Sequence, residues 1–312
     1  MRELTRALPD IEIRFDEPMS EHTSFKIGGA ARAVVFPKTR EELALSLGAL
    51  RRLGIEPLVI GCGTNLLVSG GALDIVVVKT VPGVGGVSAH GLSVSADCGV
   101  PLARLASIAC ENGLGGLEFA HGIPGSVGGA VFMNAGAYGA ELGGAVSRVT
   151  AAAPDGEILE FSRSECGFSY RSSVFNTNGC VILSAEFELR AGSPEDIRRD
   201  MAARAQARRE SQPLELPSAG SAFKRPPPDG PDGNTKRYAA ALIEECGLKG
   251  YGVGGAAVSE KHAGFIVNRG GAAFEDVLRV LEHVRREVLR LRGVELEPEI
   301  KIIGGDGRWK RL

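Results

Sequence analysis

Three polar residues stand where a charge or a hydroxyl is costly unless it is paired: Arg171 in SYRSS, Ser221 in SAGSAF, and Glu299 between Pro298 and Ile300. A guanidinium at a strand-flanking turn can clamp a carboxylate through two parallel N–H bonds, or it can pair with a core acid. A serine beside glycine can cap the next turn or present its hydroxyl to a ligand. An acid at the head of an apolar strand is unusual, because strands disfavour it. Each of the three therefore keeps a structural reading beside a chemical one.

Glycine marks a second kind of chemistry. The stretch Gly113 to Gly139, GLGGLEFAHGIPGSVGGAVFMNAGAYG, holds nine glycines and almost no charge. Glycine loses more conformational freedom on folding than any other residue, so such a run indicates backbone that turns sharply and lets something approach its amides. Consecutive N–H groups in turns form anion-binding concavities, and the candidate occupant is a phosphate; a string of tight turns with no ligand is the alternative. A second loop, GCGTNLLVSGG at Gly61 to Gly71, follows a short apolar strand directly. Two glycine loops beside strand ends suit a diphosphate. Neither matches GxGxxG or GxxxxGK[ST], and GxSxG and HExxH are absent, so dinucleotide-fold, P-loop and common hydrolase chemistries fail on spacing. A large redox cofactor carrying a diphosphate remains. The histidines, His22, His90, His121, His262 and His283, are dispersed and read as packed or surface residues.

The elements that must hold these residues follow from periodicity and punctuation. Ala33 to Phe36 reads as a strand stopped by Pro37; Thr39 then caps a helix, with Glu42 three residues on and leucines at helical spacing up to Gly54. Pro57 to Ile60, Ile75 to Lys79 and Leu92 to Ala96 read as strands, and Pro101 to Asn112 as a helix ended by Gly113. Val146 to Ala152, Ile158 to Phe161 and Val181 to Arg190 predict an antiparallel layer, with Pro154-Asp155-Gly156 as one turn. A helix begins at Pro194, and its arginines Arg198, Arg199, Arg204, Arg208 and Arg209 predict a solvated face. Pro213 to Pro217 breaks it, and Pro226 to Gly233 reads as a surface loop. Tyr238 to Cys246 and Phe274 to Leu291 predict helices; Ala256 to Val258, Gly264 to Asn268 and Pro298 to Ile303 predict strands.

At 312 residues and 44% hydrophobic content the chain is too long for one compact core and apolar enough for two. A net charge of -2 gives no basic footprint for nucleic acid or an anionic membrane. The N-terminus carries acids and no signal-type apolar core, and no run reaches the length of a membrane span, so the expected location is the cytoplasm. Six cysteines (Cys62, Cys98, Cys110, Cys166, Cys180, Cys246) without a CxxC pair suggest neither a zinc site nor a disulfide framework, and no metal is expected.

Taken in order, HTSFKIGG, GCGTNLLV, GLEFAHGIPGSVGGAVFMNAGAYGAE, FSYRSSVF, PSAGSAFK, LIEECGLKGYGVGGAAVSEKHAGFIVN and LEPEIKIIG resemble the UDP-N-acetylenolpyruvoylglucosamine reductases, from about His22 to Gly304. The resemblance implies an α+β fold: a two-subdomain FAD-binding region of the vanillyl-alcohol-oxidase/MurB type (1–205, subdomains about 1–80 and 81–205) and a C-terminal α/β substrate-binding domain (206–312) whose last strand returns near the FAD region. It also implies non-covalent FAD, NADPH as co-substrate and a small nucleotide-sugar substrate, in peptidoglycan precursor synthesis. Carried over by position, Gly61, Gly63, Thr64, Asn65, Leu66, Gly125, Ser126, Gly128, Gly129, Asn134 and Gly139 line FAD; Tyr170, Lys224 and Arg225 meet substrate; and Arg171, Ser221 and Glu299 fall on the family's catalytic positions. In that scheme the far carbon of an enol ether double bond takes hydride, Arg171 steadies the developing enolate, Ser221 donates the proton, and Glu299 orients the carboxylate region or activates the donor.

The chain departs from the family pattern at Ser211, where a lysine often precedes QPL, and at Arg225, where many relatives have asparagine; it also lacks the tyrosine-bearing loop of one branch. Two further readings stay open: a flavin oxidase of the wider fold, and a catalytically silent nucleotide-sugar binder. The oligomeric state is open, with a monomer as the working expectation.

Overall fold

The computed structural model describes residues 2–81, 83–228, 237–306 and 308–310; of the stretch Pro226 to Gly233, residues 229–233 lie outside the described residues. Two units, each with its own apolar core, make up the chain. The first comprises Met1–Phe15, Ala33–Cys62 and Val76–Arg208; the second, Asp16–Arg32, Gly63–Ile75 and Arg209–Leu312. The unit that holds the C-terminal residues from Arg209 onward thus also takes in 16–32 and 63–75.

The first unit is built on a five-stranded antiparallel sheet in the order Ile158–Ser162, Val146–Ala152, Val181–Glu188, Ser93–Asp97, Val87–His90. Val149 and Ala151 alternate toward the core, while Val146, across a register shift before Arg148, and Ala152 at the strand end are buried as well. The Pro154-Asp155-Gly156 turn is closed by Gly156 N–H donating to the Ala153 carbonyl at 2.8 Å. Leu58–Ile60 runs parallel to part of Ala72–Lys79, pairing Leu58 with Val77. Helix Arg40–Arg52 starts where Thr39 accepts from Glu42 N–H at 3.1 Å, and Glu42 answers to the Lys38 amide rather than to that of Thr39. Helix Leu102–Glu111 buries Leu102, Leu105, Ala106 and Ala109 at helical spacing.

The expected solvated face on helix Pro194–Ser211 needs correction. Arg198, Arg199 and Arg209 are exposed. Arg204, however, lays its guanidinium over the Tyr138 ring at 5.3 Å, and Arg208 packs its Cδ 3.4 Å from where a Cβ on Gly122 would lie. Burial pushes the Arg208 pKa down. The long apolar stems of both arginines cover part of the glycine-rich stretch, which has few side chains of its own to fill that space.

In the second unit, Ser218–Ser221, Phe265–Asn268, Ala256–Val258 and Gly252–Val253 form an antiparallel sheet in that order, and helix Phe274–Arg292 buries Phe274, Val277, Val280, Leu281, Val284 and Val288. Leu66–Val68 lies parallel to Lys301–Ile303, pairing Leu66 with Lys301, and Trp309–Lys310 completes that sheet. Ala239–Glu245 is a short helix. No helix of the described residues is long and apolar enough to cross a membrane, and none of them form a group of three His, Cys, Asp or Glu side chains able to hold a metal.

Candidate active site

Arg171 stands at the tip of a two-residue hairpin. Ser169 and Ser172 exchange both backbone hydrogen bonds, at 3.0 and 3.1 Å, which leaves Tyr170 and Arg171 as the loop. Arg171 sits at φ 55°, the left-handed region that a residue with a Cβ disfavours. Its Nη2 donates to the Gly136 carbonyl at 3.0 Å, and its guanidinium lies 5.0 Å from the centre of the Tyr170 ring.

What holds the hairpin is the glycine-rich stretch. Asn134 is buried at 2% exposure, and its Nδ2 donates to the Ser169 carbonyl and to Glu141 Oε2, both at 2.9 Å. Its Oδ1 accepts from Gly143 N–H at 2.8 Å. Ser173 Oγ donates to the carbonyl of Phe132, the last residue of the short helix Val127–Phe132, at 2.8 Å. Asn134 and Phe132 thus tie the residues that flank the hairpin, Ser169 and Ser173, and Gly136 holds Arg171 itself.

The amides of the same stretch are less available than a simple anion cradle requires. Val127 N–H goes to the Val100 carbonyl and Gly128 N–H to the Cys98 carbonyl, both at 2.8 Å, while Ser126 Oγ caps Gly129 at a long 3.5 Å. Glycine is demanded here by space: a Cβ on Gly61 would lie 2.1 Å from Ser126 Oγ, and one on Gly128 would lie 2.9 Å from the Cys98 Cβ. Gly139, at φ 82°, faces nothing within 4 Å. His121 Nδ1 is buried without a hydrogen-bond partner, in the middle of the stretch and at a position the spacing of the histidines did not single out.

In the second unit, Ser221 and Glu299 come together. Glu299 N–H donates to the carbonyl of Ala222, next to Ser221, at 2.9 Å, and Phe223 bridges to Pro298. Ser221 is exposed and Glu299 half-buried. One extra residue separates the two pairings Ser218–Val267 and Ser221–Phe265, so the strand bulges, with Gly220 at φ 75° inside the bulge. Such bulges re-aim the side chain that follows.

The loop beginning at Gly61 reaches the same place. Asn65 Nδ2 donates to the Glu299 carbonyl at 3.1 Å, and Lys301 N–H donates to the Asn65 carbonyl at 2.9 Å. Gly63, at φ 67°, passes so close to His22 that a Cβ would sit 2.0 Å from the His22 carbonyl oxygen. Lys224 pairs with Glu297 through Nζ–Oε1 at 2.6 Å, and Arg225 stacks over Tyr238 at 5.0 Å. Lys301, which the sequence did not single out, belongs to the same group of charges. Burial first, then the Lys224 cation, pushes its pKa down, against the pull of Glu297 and Glu299. Its signal was a lysine two residues beyond Glu299 on an otherwise apolar strand.

Two family profiles match the chain: an FAD binding domain over residues 31–162 and the C-terminal domain of UDP-N-acetylenolpyruvoylglucosamine reductase over residues 212–303. The reductase of that name from Caldanaerobacter subterraneus subsp. tengcongensis is 44% identical over 301 residues, covering 96% of this chain and 97% of the relative. That from Thermotoga maritima is 45% identical over 293 residues, covering 94% and 99%. The crystal structure of the Thermus caldophilus reductase superposes with a TM-score of 0.75 at 33% identity, covering 94% of this chain and 98% of the other. With the match running nearly end to end through both units and through the segments that carry Arg171, Ser221 and Glu299, the chain belongs to the UDP-N-acetylenolpyruvoylglucosamine reductases.

Proposed function

We infer that the protein reduces the enolpyruvyl group of UDP-N-acetylglucosamine enolpyruvate to the lactyl ether of UDP-N-acetylmuramate, with NADPH as reductant and non-covalent FAD as the redox group. When bound, FAD would supply the two-electron chemistry that links oxidation of NADPH to reduction of the enol ether double bond. The residues present fit such a group. The glycine-rich stretch carries almost no charge, Gly139 faces open space, and the buried His121 Nδ1 has no protein partner, while Gly61 and Gly128 let Ser126 and Cys98 pack closely against them. Gly61, Gly63, Thr64, Asn65, Leu66, Gly125, Ser126, Gly129 and Gly139 would hold it. Asn134, whose side-chain donors and acceptor are occupied within the protein, would act by shaping the wall and fixing the Arg171 hairpin.

The observation that carries the reading is the join between the Ser221 strand and the Glu299 segment, where Glu299 N–H meets the Ala222 carbonyl. It supports a hydroxyl donor and a carboxylate working on one substrate carbon. As the far carbon of the double bond takes hydride, its neighbour gains carbanion character, delocalised into the adjoining carboxylate. Arg171, held by Gly136 and Tyr170, offers a pre-set cation to that charge. Ser221 gives its proton to the neighbouring carbon, which completes addition of one hydride and one proton across the bond, and Glu299 orients the donor or replenishes its proton. Tyr170, Lys224 and Arg225 are the proposed contacts to the nucleotide-sugar, and Lys224, paired with Glu297, is a cation beside it. The cytoplasm, where nucleotide-sugars and NADPH meet, is the proposed location.

Anaerobic stopped-flow absorbance tests the reading. NADPH should bleach the flavin of the holoenzyme, and the enolpyruvyl substrate should restore the colour. Ser221→Ala should leave bleaching intact and slow the recovery by several orders of magnitude. Equal loss in both halves would remove Ser221 from the proton-donor role, and reoxidation by oxygen alone at catalytic rates would favour an oxidase.

A further inference from the structure

The bulge that aims Ser221 is pinned from outside its own sheet. Ser24 Oγ donates to the carbonyl of Ser218, the residue that opens the bulge, at 2.6 Å. The Ser24 amide donates to the Gly63 carbonyl at 3.1 Å. One residue therefore holds the strand that carries Ser221 and the loop that carries Gly63, Thr64 and Asn65. The turn that presents Ser24 is itself rigid: Thr23 Oγ1 closes onto the Ile27 carbonyl at 3.0 Å, Lys26 is held at φ 58°, and Asn268 Nδ2 donates to the Phe25 carbonyl at 3.1 Å. Asn268 ends the strand that pairs with Ser218–Ser221, so the turn is anchored to the same sheet twice. At the far end of the loop, Asn65 makes the corresponding attachment to Glu299.

We propose that Ser24 is a positioning residue for the reduction: its hydroxyl and amide lock the Ser221 bulge and the Gly63–Asn65 loop into one frame, so that the proton donor is aimed relative to the cofactor loop. The proposal rests on the reading of Ser221 as that donor. A hydroxyl is suited to this place because it serves a carbonyl at the entrance of a bulge, where the sheet's own ladder is interrupted. Without it, the bulge keeps its glycine but loses the bond that fixes its start. A donor displaced by about 1 Å can cost about 100-fold in rate.

The test compares Ser24→Ala, Ser24→Thr, Gly220→Ala and Ser221→Ala as FAD-loaded enzymes. A Cβ on Gly220 meets nothing within 4 Å, so Gly220→Ala disturbs the bulge through its φ of 75° alone, which keeps the proposal testable if Ser24→Ala folds poorly. Expected for Ser24→Ala are NADPH bleaching within about twofold of wild type, substrate-driven recovery slowed about 10- to 100-fold, and a larger solvent deuterium isotope effect on recovery. Ser24→Thr, which keeps the hydroxyl, should restore most of the rate, and Gly220→Ala should reproduce the selective loss. Wild-type recovery in Ser24→Ala, or equal slowing of both halves with an unchanged isotope effect, would overturn the proposal. Fast recovery in Ser221→Ala would overturn the donor assignment as well, whereas slow recovery there beside wild-type Ser24→Ala would overturn the role of Ser24 alone.

Discussion

Asn134 Nδ2 donates to the carbonyl of Ser169 at 2.9 Å, and through this bond a residue of the glycine-rich stretch decides where Arg171 stands. The same side chain binds Glu141 and Gly143, so every polar atom of a 2%-exposed amide is used. Asparagine also suits the backbone, because it tolerates the left-handed φ of 43° better than most residues do.

Asn134→Ala should therefore combine lost stability with lost turnover. Stranding the buried partners costs about 1–3 kcal/mol. The midpoint in urea should fall accordingly, and kcat should drop with it because the Arg171 hairpin loses a tether. Asn134→Gly, which accepts the φ but makes no bonds, should recover only a small part of either.

At Arg171 the backbone and the chemistry make opposite demands. Arg171→Ala and Arg171→Gly both remove the guanidinium, so both should abolish turnover. They should differ in stability, because φ 55° strains alanine and not glycine. Arg171→Gly should be the more stable of the two by about 1 kcal/mol in chemical denaturation. Equal midpoints would mean that the hairpin relaxes out of the left-handed region.

Gly61 and Ser126 should show strong coupling. Gly61→Ala drives a Cβ to 2.1 Å from Ser126 Oγ and should weaken flavin binding and stability together. Ser126→Gly costs only a few tenths of a kcal/mol as a cap. The double variant should then bind FAD, read by quenching of flavin fluorescence, better than Gly61→Ala alone. Additive losses would place the damage elsewhere.

His262 gives a pH signature. Its Nδ1 accepts from Gly264 N–H at 3.1 Å, which requires the neutral ring, and burial, with Lys249 nearby, pushes its pKa below the ordinary 6.5. The unfolded chain thus takes up the proton first as pH falls. The stability this group contributes is complete above 6.5 and is lost as pH drops through that value toward the folded pKa. Urea midpoints taken at about pH 7.5 and 5.5 should fall for the wild type by more than for His262→Gln.

Much of the scaffold was legible in periodicity. The helices from Thr39, Pro101, Pro194, Tyr238 and Phe274, and the antiparallel layer around Val146–Ala152, stand within a few residues of where apolar spacing and glycine stops put them. The N-terminal helix Arg2–Ala7 and the strand Glu12–Pro18 were not legible, because the strand is mostly exposed and alternates no apolar face. For Arg171, Ser221 and Glu299, residue type alone left capping and core pairing open, and only the ordered set of motifs singled them out. Ser24 and the Asn134 bonds were invisible, and Lys301 showed only as a lysine on an apolar strand, for one reason. Each acts on residues far away in sequence: Ser24 on Ser218, Asn134 on Ser169, and Lys301 on Asn65.

The second unit's core joins Phe25, Ile27 and Leu67 to Val277, Leu281 and Val284, residues far apart in the order of synthesis. At about 5–20 residues per second, Leu67 waits roughly 10–40 s for Val277 to be added. During that interval the early segments are apolar surface for a chaperone, and Leu66–Val68 has no Lys301–Ile303 to pair with. The loop from Gly63 to Asn65 takes its final form only once the late strand arrives. On the proposed flavin contacts of Gly63 to Asn65, flavin loading is a closing step, and a nascent chain arrested before residue 301 should emerge colourless even in excess FAD.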